Sequence, residues 1–297
     1  MASEGVTEET GRFAPSPTGP LHLGSLFSAV ASYVHARALG GRWLVRMEDL
    51  DTPRCVPGAA DAILTTLDQH ALQWDGLTYQ HQWIESYYAA LEQLRADGHT
   101  FACTCSRSQT QESSVYPGTC RQRIVPLDAP HSIRLKVPDE TIELFDAIQG
   151  RYAQRLRADV GDFVVFRRDR IVAYQLAVVV DDAAQRITHV VRGADLLDNT
   201  PRQVLLFRLL GAHAPRYAHV PVLSDRSGQK LSKQTHATAV DAASPSDNLW
   251  LILALLGHEP PNDLRGADPT ELLTWVTAQW DVSRIPRRAT HSEFVCI

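Results

Sequence analysis

Residues 11–25, GRFAPSPTGPLHLGS, begin as a strand and end at the threshold of a helix, with three prolines and three glycines spread along the way. Pro15 has no N–H to give to a ladder, so the strand stops there. Pro15, Pro17 and Pro20 fix the path of the turn, while Gly19 and Gly24 permit a close backbone approach. From Leu23 the run LGSLFSAVASYVHARALGG has helical spacing: Leu26, Val30, Tyr33 and Val34 share a face, and Gly40 and Gly41 stop it. A strand entering a helix through so stiff a turn sets unpaired N–H groups and the helix dipole at the carboxyl edge of a sheet, which suits phosphate. His22 stands just before that helix and can donate to a phosphate oxygen as charge develops on it.

The alternation continues. RWLVRMED (42–49) reads as a strand, PGAADAILTTLDQHAL as a helix with Pro57 near its first turn, and WIESYYAALEQLRADG (83–98) as a helix closed by Gly98. This order predicts an α/β fold, a parallel sheet with helices on its faces. Residues 101–160 interrupt it with a cysteine-bearing segment, a strand SIRLKV (132–137) and an arginine-rich stretch, and read as an insertion. DFVVFRRD and AYQLAVVVDD then read as strands or strand–helix pairs. ITHVVRG reads as a strand, ADLLDNTPRQVLLFRLLG as a helix and YAHVPVL as a strand. SDNLWLILALLG and DPTELLTWVTAQW read as closing helices, with Ser246 or Asp247 and then Asp268 as N-caps. Residues 1–10 are expected to be a tail.

The net charge of −5 does not exclude an RNA partner, because affinity for phosphate depends on where the cations sit. No apolar run reaches the ~18 residues of a membrane span. MASEGVTEET lacks the basic and apolar regions of a secretion signal, so a cytoplasmic location is expected. Of five cysteines, Cys103, Cys105 and Cys120 lie close together, which favours a metal site over a disulfide framework. Zinc requires four ligands in a tetrahedron, and His99 and His131 are the nearest conventional candidates for the fourth. Cys55 and Cys296 stand apart.

HLGS (His22–Ser25) resembles the HIGH signature of class I aminoacyl-tRNA synthetases, and the preceding RFAPSPTG narrows the resemblance to their glutamyl branch. KLSKQ (Lys230–Gln234) resembles the KMSKS loop of the same class and comes in the right order. RMED (46–49), AYQLAVVVDD (173–182) and ITHVVRGADLLDNTPRQ (187–203) follow the glutamyl-type pattern as well. The resemblance implies a Rossmann-like catalytic domain in two halves, residues 1–100 and 161–240, around the 101–160 insertion, with a short helical region at 241–297. It implies an ATP site at His22, Gly24, Ser25, Lys230 and Lys233, with Mg²⁺ accompanying the nucleotide. His22, Lys233 and Lys230 would stabilise charge moving onto pyrophosphate. It also implies a glutamate pocket made by Arg12, Phe13, Ala14, Pro15, Ser16, Glu48, Tyr174 and Arg192. The chemistry agrees: a dicarboxylic amino acid needs fixed cations for its carboxylates, here Arg12 and Arg192, and an anion for its ammonium, here Glu48.

A full glutamyl-tRNA synthetase carries a long anticodon-binding region beyond this loop, whereas here residues 235–297 offer room only for a few helices. Ala194, Leu196 and Gln234 replace the Glu, His and Arg usual in those enzymes. These departures resemble the glutamyl-Q tRNA(Asp) synthetase family, the truncated paralogues of that branch. The resemblance implies tRNA-independent activation of L-glutamate with ATP. It further implies transfer of glutamate to the queuosine base in the anticodon loop of tRNA(Asp), and a zinc ion held by Cys103, Cys105, Tyr116 and Cys120. No membrane partner is expected, and the enzyme is expected to be a monomer. Arginines of RYAQRLR (151–157), FRRDR (166–170) and RIPRR (284–288) serve either as phosphate contacts or as a solvated charged face. Two other readings stay open: a truncated synthetase charging the tRNA 3′ end, and a catalytically dead RNA-binding module.

Overall fold

The computed structural model describes residues 8–106, 109, 115–125, 129–223, 244–287 and 290–291. Its strands are β1 (Thr10–Phe13), β2 (Arg42–Met47), β3 (Gly76–Tyr79), β4 (Thr100–Cys103), β5 (Ser132–Leu135), β6 (Thr141–Asp146), β7 (Gly150–Arg155), β8 (Val164–Phe166), β9 (His189–Gly193), β10 (Arg216–Val220), β11 (Val222–Leu223) and β12 (Thr290–His291). Its helices among those residues are α1 (Leu23–Ala38), α2 (Ala59–Gln69), α3 (Ile84–Ala96), α4 (Leu156–Asp159), α5 (Tyr174–Ala184), α6 (Thr200–Leu209), α7 (Pro245–Leu255) and α8 (Pro269–Gln279).

The main sheet has the order β3-β2-β1-β9-β10-β6-β7, parallel throughout except for the last pair. The chain moves outward from β1 through β2 to β3, then returns to the other side of β1 with β9 and β10. The order therefore reverses between β1 and β9, and a crevice opens outside the carboxyl ends of those two strands.

Side chains alternate across a strand, so each strand feeds two layers. Phe13, Val45, Val191 and Ala218 face α1, α7 and α8 in one apolar core. Gly11 lies on this face too; a Cβ there would stand 3.0 Å from the Ala36 Cβ, so the absent side chain lets α1 pack close on β1. The opposite face carries Leu44, Val190 and Tyr217, with Val204 of α6 packed against them. Farther along the same rows, toward the carboxyl ends, this second face turns polar: Arg12 pairs in register with Leu44, Arg46 and Glu48 follow it on β2 and just beyond, and Arg192 pairs with His219.

AYQLAVVVDD is helical from Tyr174 onward, as α5 with Ala173 as its extended N-cap, rather than partly a strand. A short apolar run has no periodicity to separate the two states, and burial of Leu176, Ala177, Val178 and Val179 against α3 and α6 selects the helix despite three consecutive valines. The N-cap of α7 is Ser244, with Pro245 in the first turn, two residues before the earlier of the two expected caps. Asp268 caps α8 as expected, accepting the Thr270 N–H at 2.8 Å. Sheet pairing begins at Thr10, inside the expected tail.

Within the expected insertion, β4 and β5 join β8 in a separate antiparallel sheet, while the β6–β7 hairpin extends the main sheet beside β10. Arg121 ties the two regions around the cysteine segment together, pairing with Asp162 and donating to the Val137 carbonyl.

Candidate active site

A cavity of about 340 Å³ occupies the crevice between β1 and β9. Arg12 to Ser16, His22, Gly24, Ser25, Glu48, Tyr174 and Arg192 all line it, so every described residue assigned to the ATP or glutamate pocket opens onto one space. Leu196 lines it as well, and so do Val222 and Leu223 of β11. Lys230 and Lys233 lie outside the described residues.

His22 is the N-cap of α1. Its Nδ1 accepts the Ser25 backbone N–H at 3.3 Å, and Ser25 Oγ lies 2.9 Å from Nε2. The imidazole is thus held where the unpaired N–H groups of the first helical turn point outward.

The floor of the cavity is a buried charge cluster. The Arg12 guanidinium donates to both oxygens of Asp182, at 3.2 and 3.3 Å. Arg46, 1 % exposed, reaches Asp182 at 2.8 Å, Asp181 at 3.4 Å and Glu48 at 3.6 Å, and donates to Gln185 Oε1 at 2.6 Å. Asp181 also accepts from Gln80 and Tyr87, each at 2.7 Å. Two guanidinium groups face three carboxylates, so with all ionised the cluster carries one excess negative charge.

The titrations follow from that imbalance. Burial works against every carboxylate here. At Asp182 the pull of Arg12 and Arg46 wins and holds the carboxyl below its ordinary range. At Asp181 burial prevails over Arg46, Tyr87 and Gln80, and the carboxyl is raised. At Glu48 burial outweighs Arg46 and Arg12 and pushes the carboxyl up to about 7. Among the described residues Glu48 Oε1 is buried with no hydrogen-bond partner. Its nearest cation is Arg46 Nη2 at 3.6 Å, which is likewise buried without a hydrogen bond.

Arg192 differs from Arg12. Its partners among the described residues are neutral: His219 at 3.0 Å, Thr200 at 2.8 Å, the Leu196 carbonyl and the Tyr174 hydroxyl, both at 3.4 Å. It lies 6 % exposed at the cavity wall with no carboxylate against it. Among the described residues the cavity is thus lined by a cation with no carboxylate partner and an anion held only at 3.6 Å, a pair of opposite charges that suits a zwitterionic ligand.

Cys103, Cys105 and Cys120 come together at the edge of the small sheet, their sulfurs within 4.8 Å of one another. The Tyr116 oxygen lies 3.4 Å from Cys103 Sγ and 3.8 Å from Cys105 Sγ, and Cys105 and Cys120 are 3.6 Å apart. Tetrahedral zinc with bonds of about 2.3 Å to sulfur gives ligand–ligand edges of about 3.8 Å, so the donor set fits. Neither His99 nor His131 joins this group; His131 Nδ1 meets the Ala129 carbonyl instead. Arg134 stacks over the Tyr116 ring at 3.9 Å, and Gly161, at φ +73°, leaves room for the Tyr116 backbone.

Several arginines suggested for RNA have acidic partners in the structure: Arg151 with Glu143, Arg155 with Asp139, and Arg167 with Asp51 and Asp169. The first two are exposed pairs, weak enough to exchange a carboxylate for a phosphate.

Sequence reasoning passed over Arg46, Asp181 and Asp182. Their signal was present as charges inside apolar runs, VRM on β2 and VVVDD on α5, and a buried charge requires a partner.

Residues 9–256 match the family described as tRNA synthetases class I (E and Q), catalytic domain. With the reversed sheet order and the cavity at its switch point, this defines the chain as a class I synthetase-type ligase. The glutamyl-Q tRNA(Asp) synthetase of Thiobacillus denitrificans is 53 % identical over 284 residues, covering 93 % of this chain and 94 % of that protein. The one of Ectopseudomonas mendocina is 50 % identical over 289 residues, covering 97 % and 98 %. The chain belongs to the glutamyl-Q tRNA(Asp) synthetase family. Its fold is also that of a glutamate tRNA ligase from Elizabethkingia meningosepticum, solved in complex with its amino acid, with a TM-score of 0.81 at 24 % identity. That similarity covers 95 % of this chain and 66 % of the ligase. No helix among the described residues is long and apolar enough to cross a membrane.

Asp182→Ala removes the shared partner of Arg12 and Arg46 and, although Arg46 keeps Asp181 and Glu48, leaves Arg12 buried without an ion pair among the described residues. The expected loss is about 3–5 kcal/mol of folding stability, measured by chemical denaturation.

Proposed function

We propose that this enzyme activates L-glutamate with ATP, without needing tRNA, and transfers the glutamyl group to the queuosine base in the anticodon loop of tRNA(Asp). The observation that carries the amino-acid reading is that Glu48, held by Arg46 only at 3.6 Å, and Arg192, whose partners among the described residues are neutral, line the same cavity. Glu48 receives the ammonium of glutamate and Arg192 receives a carboxylate. Arg12, already matched by Asp182, holds the floor. The acceptor rests on the relatives named for it, about half identical to this chain over nearly their whole length.

In the first step a glutamate α-carboxylate oxygen attacks the α-phosphorus of ATP. The new O–P bond forms as the bond to pyrophosphate breaks. His22 and the N-terminal N–H groups of α1 hold the phosphates, and Lys233 with Lys230 neutralises the departing pyrophosphate. Mg²⁺ would accompany the triphosphate and neutralise part of its charge. In the second step a hydroxyl of the queuosine cyclopentenediol attacks the activated carbonyl, its proton is lost and AMP leaves. The enzyme is read as a cytoplasmic monomer.

We assign zinc to Cys103, Cys105, Tyr116 and Cys120. It would hold the segment between β4 and β5, which has little apolar core of its own.

The direct test is ATP–pyrophosphate exchange with glutamate and no tRNA, followed by labelling of tRNA(Asp) with and without queuosine. Exchange without tRNA, and label only on queuosine-containing tRNA at a site that survives removal of the 3′ terminus, is expected. An absolute requirement for tRNA, or label confined to the 3′ end, rejects the reading in favour of a truncated charging enzyme. Absence of any exchange favours a binding module.

Glutamate binding requires ionised Glu48, whose carboxyl stands at about 7 in the free site. The KM for glutamate should rise by up to about tenfold per unit as pH falls below 7, and level off above it. Cys120→Ser should lose bound zinc by metal analysis; full retention would remove Cys120 from the ligand set.

A further inference from the structure

Arg192 does not hold its place alone. His219 is its register partner on the neighbouring strand, and the Arg192 Nε–H donates to His219 Nε2 at 3.0 Å. A guanidinium has no acceptor, so Nε2 must carry the lone pair, and the imidazole is neutral with its proton on Nδ1. That proton points at Asp146 Oδ2, 2.6 Å away. Asp146 is the last residue of β6, and its other oxygen accepts the backbone N–H groups of Ile148, Gln149 and His219 at 2.8–3.0 Å. Both His219 and Asp146 are 0 % exposed. Three adjacent parallel strands thus lay a carboxylate, an imidazole and a guanidinium in one line across the carboxyl edge of the sheet.

We infer that Asp146 and His219 are positioning residues for Arg192, fixing the plane in which its guanidinium meets a carboxylate of glutamate. The inference rests on the reading of Arg192 given above. Asp146 selects the imidazole tautomer, because a carboxylate accepts only from a protonated Nδ1. The tautomer leaves Nε2 as the acceptor for Arg192 Nε, and Thr200 takes a proton of Nη2. Two nitrogens of the fork are thereby fixed, so the guanidinium cannot swing about its stem, and its remaining edge stays toward the cavity beside Tyr174. The line also makes the β6–β7 hairpin, which belongs to the interrupting segment, part of the pocket's support. A positioned cation is worth more than a mobile one because less side-chain freedom is lost on binding.

Two substitutions separate positioning from mere packing. Asn carries its amide at the depth of Nδ1 and can still face Asp146, but offers nothing to Arg192. Gln carries its amide at the depth of Nε2 and can still accept from Arg192. Pyrophosphate exchange, run with tRNA present so that no assumption about its necessity enters, gives KM for glutamate, KM for ATP and kcat. His219→Asn should raise the glutamate KM at least about tenfold while the ATP KM and melting temperature move little, and His219→Gln should lie closer to the native value. Equal effects of the two variants, parallel loss of kcat with both KM values, or an unchanged glutamate KM in His219→Asn would each overturn the inference. Arg192→Lys is the control for the pocket itself. A raised glutamate KM there beside a native-like His219→Asn rejects the positioning role alone. A native-like Arg192→Lys rejects the pocket reading, and the inference with it.

Discussion

The structure depends on how it disposes of five buried charges. Arg12, Arg46, Glu48, Asp181 and Asp182 sit beneath the switch point of the sheet, where removing each ion from water costs several kcal/mol before any pairing. Close pairing offsets that cost for four of them. Glu48 is left with a contact from Oε1 to Arg46 at 3.6 Å, too long for a hydrogen bond, and its carboxyl rises toward neutrality. Asp181 and Asp182 also stand in the last turn of α5, the end of a helix that disfavours anions, so the two arginines offset the helix dipole as well. In the proposed reading the substrate's ammonium supplies the missing positive charge. Glu48 and Arg192, the two least closely paired charges of the pocket, each gain a partner when it is filled.

This arrangement ties distant parts of the chain to one site. The charges come from β1, from β2 and its end, and from the far end of α5, so the sheet, the interrupting segment before α5 and the helix layer must all be in register before the floor closes. The alternation of side chains makes this possible: one face of each central strand is apolar beneath α1, and the other turns from apolar to charged near its carboxyl end. Gly11, with no side chain toward α1, and Arg12, with a charged one toward α5, are neighbours serving opposite layers.

Much of this was legible in the chain. The α/β alternation, the stiff turn before α1 and the cavity-lining set from Arg12 to Ser25 with Glu48, Tyr174 and Arg192 follow from local pattern and resemblance. The partners of those residues were less legible. Nothing in VVVDD says that its carboxylates meet Arg12 and Arg46, because that contact spans more than a hundred residues and depends on α5 being a helix. His219 and Asp146 were equally hidden: each looks ordinary in its own strand and acquires meaning only from the strand order β9-β10-β6. Three cysteines announced a metal-ligating group and the family resemblance named Tyr116 beside them; spacing alone favoured the histidines, and the geometry brings the Tyr116 oxygen to the sulfurs and leaves His99 and His131 outside the group.

Replacing Glu48 by Gln tests the central claim most directly, because the account makes two opposite demands of one substitution. Removing the excess buried charge should stabilise the free enzyme at pH 8, on the order of 2–3 kcal/mol by denaturation. Removing the anion for the ammonium should weaken glutamate binding by about a hundredfold or more. A Glu48→Gln enzyme that is both more stable and unable to hold glutamate is the predicted result. One that binds glutamate as the native enzyme does, or that is less stable than it, would contradict the account.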